Sequence, residues 1–105
     1  MKKTIRKIEY MYADEGNYKK FGEFYITGNF SVKDIEKFLF DHDFFVPEQI
    51  GVEPLVPEAK MPYDHYLHTF KSVTIVESGH PLMTGAELKR RIKAAQKRDW
   101  FDGLS

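Results

Sequence analysis

The histidines and carboxylates pose the first chemical question. Asp64-His65-Tyr66-Leu67-His68, with His80 further along, has metal-like spacing, because two imidazoles three residues apart can share an ion on a helical turn. The segment instead leads into a β-branched stretch, and on a strand residues 65 and 68 point to opposite faces. No metal centre is therefore expected, and His68 reads as a hydrogen-bonded strand residue. The carboxylate pairs Asp41/Asp43 and Asp14/Glu15 fall in turn-like segments where both members ionise, whereas acid–base hydrolysis needs one kept protonated in a dry pocket. There is no Gly-x-Ser-x-Gly elbow and no glycine-rich phosphate loop, so neither a serine nucleophile nor a nucleotide cofactor is expected.

Two segments offer binding chemistry instead. Asp14-Glu15-Gly16-Asn17-Tyr18-Lys19-Lys20 places polar groups between two aromatic-rich stretches, although Asp14 and Asn17 equally suit a plain turn. Charge is also unevenly distributed. Residues 31–59 carry two bases against seven acids, and residues 84–100 carry six bases against two acids. Lys89, Arg90, Lys93 and Lys97 could rest on phosphates, or simply form the solvated face of a helix.

The elements that must position these groups follow from periodicity. Ile8, Tyr10 and Tyr12 alternate with Lys7 and Glu9, and Phe24, Ile26 and Phe30 alternate with Glu23, Tyr25 and Thr27. Residues 5–12 and 22–30 thus form an antiparallel hairpin with a long loop. Ser31 caps a helix of about ten residues whose stripe is Val32, Ile35, Phe38 and Leu39. Pro47, Pro54, Pro57 and Pro62 make residues 44–63 an irregular segment, ordered because it is also rich in apolar residues, with one helical turn at Pro47–Gly51. Residues 67–77 form a third strand, apolar enough near its end to be central. Thr84-Gly85-Ala86-Glu87 matches a capping box and starts a helix reaching about Lys97. The predicted order is β-β-α-loop-β-α. It implies an α+β two-layer sandwich, a small, mainly antiparallel three-stranded sheet with both helices on one face.

Composition bounds the function class. The chain has 105 residues, which is one domain, and 16 bases balance 16 acids, so no overall charge draws it to nucleic acid. It has no cysteine, which excludes disulfides and thiolate chemistry. No apolar run approaches a membrane span, and Glu9 interrupts any signal-peptide pattern, so a cytoplasmic protein is expected. Sixteen aromatic residues are many for so small an interior, which places some rings at a groove, an edge or an interface. Open strand edges beside them suggest a homodimer.

Tyr10-Met11-Tyr12-Ala13-Asp14-Glu15-Gly16-Asn17-Tyr18-Lys19 with Gly22, Phe45-Val46-Pro47-Glu48-Gln49-Ile50-Gly51-Val52 with Leu55, and Leu67-His68-Thr69-Phe70 resemble segments of a family of small, functionally uncharacterised bacterial proteins. Leu67 and Thr69 depart from that family's Trp-His-Glu-Phe pattern. The resemblance spans roughly residues 8–95. It implies a small cytosolic domain and directs attention to Asp14, Asn17, Tyr18, Lys19, Glu48 and His68, without implying an activity. The expected function is a non-enzymatic protein-interaction domain. The alternatives are nucleic-acid binding through the basic helix, or a small hydrolase using His68 with Asp14 or Glu48.

Overall fold

The computed structural model describes residues 4–13, 19–55 and 67–102. Strand β1 (Ile5–Ala13) leads to β2 (Lys19–Thr27), then to helix α1 (Val32–Ile35), which continues as a 3-10 turn at Glu36–Phe38. Strand β3 (Phe44–Phe45) precedes a second 3-10 turn at Pro47–Ile50. Strands β4 (His68–Val76) and β5 (Pro81–Thr84) follow, and helix α2 (Gly85–Arg98) begins directly after β5. The strand order is β3-β4-β1-β2-β5.

The hairpin forms, but its second strand is Lys19–Thr27 and not residues 22–30, because Gly28 turns left-handed (φ 81°) and Phe30 lies beyond the strand. β1 and β2 pair antiparallel from Ile5↔Thr27 to Ala13↔Lys19, with Ile8 opposite Phe24 on the inner face. β1 also pairs antiparallel with β4, Ile8 opposite Val73 and Tyr12 opposite His68. Glu9 faces Ser72 whereas Tyr10 faces Phe70, so Lys71 is the extra residue of a bulge, which adds local twist. Ile8, Tyr12, Ile26, Ile35, Phe45, Ile50, Leu88 and Ile92 meet in one buried core.

The expected three-stranded, mainly antiparallel sheet with two helices on one face is overturned. The sheet is mixed, five-stranded and curled. β5 is parallel to β2, and begins with Pro81, a position an edge strand tolerates because no amide donor is needed there. β3 is a two-residue antiparallel partner to β4, Phe44 opposite Thr69 and Phe45 opposite His68. The first helix is also far shorter than expected. Its α-helical part is four residues, and Leu39 is already extended. Asp41 and His42 adopt left-handed backbone (φ 55° and 59°), reversing the chain so that Phe40 bridges to Phe44. Ser31 provides no side-chain cap.

The second helix begins where the sequence places it. Thr84 Oγ1 accepts the Glu87 amide at 3.0 Å. The Glu87 carboxylate does not close the box. It accepts from Arg90 and Arg91, which hold the carboxyl down at about 2. Its charge-assisted contribution is therefore present above the ordinary carboxylate range and is lost as pH falls through about 2.

Gly85, the first residue of α2, lies so close to the loop before α1 that a Cβ there would stand 2.0 Å from the Asn29 carbonyl oxygen. Alanine normally stabilises a helix relative to glycine by about 1 kcal/mol. Gly85→Ala is expected to do the reverse, lowering stability by about 1–3 kcal/mol through overpacking against backbone, as measured by chemical unfolding.

Candidate functional site

The residues singled out for chemistry do not share one setting. Asp14, Asn17 and Tyr18 lie outside the described residues. Lys19 opens β2 and is exposed. Glu48 stands exposed on the Pro47–Ile50 turn, whereas His68 is 1% exposed in β4. His65 lies outside the described residues, and among those described no group of three His, Asp or Glu is placed to hold a metal ion.

His68 has a definite task. Tyr10, Tyr12 and Phe45 surround its ring, with centroids 5.3–6.1 Å away. Its Nε2 accepts the Leu55 amide at 3.0 Å, so the imidazole carries no proton at that nitrogen. Tyr10 acts beside it. Its hydroxyl donates to the Glu53 carbonyl at 2.6 Å, and burial, reinforced by the Glu53 charge, pushes the phenol up to about 12. Two arginines of α2 serve the same stretch of chain from the other side. Arg91 donates to the Ile50 carbonyl at 3.1 Å, and Arg98 donates to the Gln49 carbonyl at 3.1 Å and to its side-chain oxygen at 2.9 Å. These four side chains all bind protein backbone.

Of the basic-helix residues, Arg90 is paired with Glu87. Lys89, Lys93 and Lys97 follow one another at single-turn intervals, and among the described residues none of them has an ion-pair partner. Lys93 Nζ lies 5.4 Å from the centre of the Phe38 ring, and Lys37 Nζ lies 5.3 Å from the same ring. A cavity of about 720 Å³ adjoins this face, lined by Arg6, Asn29, Ser31, Asp34 and Lys89. Its charges are mixed, and the Arg6 guanidinium is already bonded to the Gly28 carbonyl.

The feature that sequence reasoning missed is the outer edge of β4. That strand reads as central, yet β3 covers only His68 and Thr69. Beyond them Phe70–Val76 is paired to β1 on one side, and no described strand pairs with it on the other. Ile75 is 68% exposed there, although its register partner Arg6 places it on the same sheet face as buried Ile8. The open part of β2, Lys19–Phe24, differs. It carries Lys19, Lys20 and Glu23, charges of the kind that discourage edge pairing. Among the described residues, the other large apolar side chains that stand exposed are Phe21, Phe40 and Leu82.

His68→Phe keeps a ring in the core but leaves the Leu55 amide without its acceptor, and is expected to cost about 1–3 kcal/mol in urea unfolding. Tyr10 supplies a pH test. Its phenol is protonated in the fold to about 12 but ionises near 10 once unfolded. The associated stability is present below pH 10 and falls as pH rises towards 12. Ultraviolet difference titration should show a tyrosine step near 12 that Tyr10→Phe removes.

Comparison with protein-family models, curated proteins and solved structures finds no match for this chain.

Proposed function

We propose that this chain is a non-enzymatic protein-interaction domain that takes up an extended stretch of polypeptide along the open edge of β4. The observation that carries this reading is the unpaired Phe70–Val76 edge with Ile75 exposed on it. A free strand edge presents N–H and C=O groups at regular spacing, and an added strand gains affinity from those bonds and specificity from alternate side chains. The segment Val73-Thr74-Ile75-Val76 is β-branched throughout and contains neither proline nor glycine, so it suits pairing. The engagement of His68 with Leu55 and the surface position of Glu48 weigh against the hydrolase reading.

One observation favours a second reading, nucleic-acid binding. Lys89, Lys93 and Lys97 line one side of α2 without ion-pair partners among the described residues. Lysines of this kind contact phosphates without reading sequence.

A photo-reactive phenylalanine analogue placed at position 75, or separately at position 97, separates the two readings. A polypeptide adduct is expected from position 75 and not from position 97. An adduct with nucleic acid from position 97, together with DNA binding that collapses as salt rises, would replace the proposed function with the second reading.

A further inference from the structure

We infer that the cavity between the β2–α1 connection and the start of α2 binds a small organic monoanion, a carboxylate head on an apolar body. This goes beyond the strand-edge reading and does not depend on it. The cavity measures about 720 Å³, within the roughly 300–1,000 Å³ usual for small-molecule sites. Its walls are largely apolar, with Phe30, Ile35 and Ala86 among the side chains that form them.

Charge selects the ligand. The lining holds two cations, Arg6 and Lys89, against one carboxylate, Asp34, so a single negative charge completes it. Both cations are partly buried, and neither has an ion-pair partner among the described residues. Arg6 lies on the same side of β1 as buried Ile8, and its register partners are Ile26 and Ile75, so no acid stands opposite it. Its Nη1 donates to the Gly28 carbonyl, which fixes the guanidinium and leaves the rest of the fork without a partner among the described residues. A guanidinium held in this way suits the two oxygens of a carboxylate. The positive end of α2 opens on the same cavity at Gly85 and Ala86, and Glu87, the acid of that first turn, is held by Arg90 and Arg91. A phosphate monoester fits less well, because its charge of about −1.5 to −2 exceeds what the lining balances. A neutral apolar molecule would cover both cations without giving them a counter-charge.

Octanoate is the probe, titrated into the full chain and followed by amide chemical shifts. Saturable binding is expected, with the largest shifts at Asn29, Gly85 and Ala86. Octanol, which keeps the apolar body without the charge, should bind at least about tenfold more weakly. Arg6→Gln and Lys89→Gln should each weaken octanoate binding about tenfold, whereas Lys97→Gln, further along the same helix, should leave it unchanged. Unfolding curves check that each variant stays folded, and should Arg6→Gln not fold, Lys89→Gln decides. No saturable binding of octanoate up to about 10 mM, equal binding of octanol, or an octanoate affinity that Lys89→Gln leaves unchanged would overturn the inference.

Discussion

Buried backbone polar groups must find partners, and the Pro47–Leu55 segment supplies only some of its own, the Gly51 and Val52 amides both donating to the Pro47 carbonyl. Proline removes donors at residues 47 and 54, and the only regular structure is the 3-10 turn at Pro47–Ile50. Carbonyls at Gln49, Ile50 and Glu53 and the amide at Leu55 are satisfied instead by Arg98, Arg91, Tyr10 and His68. Because those side chains come from α2, β1 and β4, the irregular segment fastens helix and sheet to one another. It also carries Val52 and Leu55 into the core, so polar satisfaction and apolar burial coincide.

This constraint divides the polar residues into two groups. The side chains most suggestive of chemistry, a buried histidine and a buried tyrosine, are held by backbone partners. The arginines of α2 are engaged too, with Arg90 on Glu87 and Arg91 on both Glu87 and Ile50. What stays available at the surface is simpler: lysine ammonium groups, exposed apolar side chains and the unpaired run of β4. Such groups suit recognition better than bond making, and strand addition draws on backbone groups more than on any particular side chain.

The sequence made some of this legible. Alternation located β1 and β2, because each buries one face and a period of two follows, whereas β4 showed through its β-branched residues and its lack of proline and glycine. Thr84 and Glu87 marked the start of α2 through local hydrogen bonding, which needs no tertiary information. β3 and β5 were hidden for a shared reason. Two and four residues long, they are too short for a period, and the neighbouring Pro47 and Pro81 give them the look of turns. The shortened α1 was hidden because Val32, Ile35, Phe38 and Leu39 keep helical spacing even though the backbone leaves the helix before Leu39. His68 was readable as a bonded strand residue, but its donor, Leu55, lies across an irregular connection that no pattern predicts. The open edge was the hardest to foresee. Hydrophobicity shows that a strand packs well, not which of its two sides lacks a neighbour.

The tight corner between β5 and α2 has a consequence for how the sheet is aligned. A parallel strand of four residues is a weak guide to its own alignment, and β2 could in principle accept it shifted by one position. The hollow beside the Asn29 carbonyl admits only a residue without a side chain. Sliding the chain one step in either direction would push Thr84 or Ala86 into that hollow, so Gly85 works as a mechanical stop, keying strand and helix into place together.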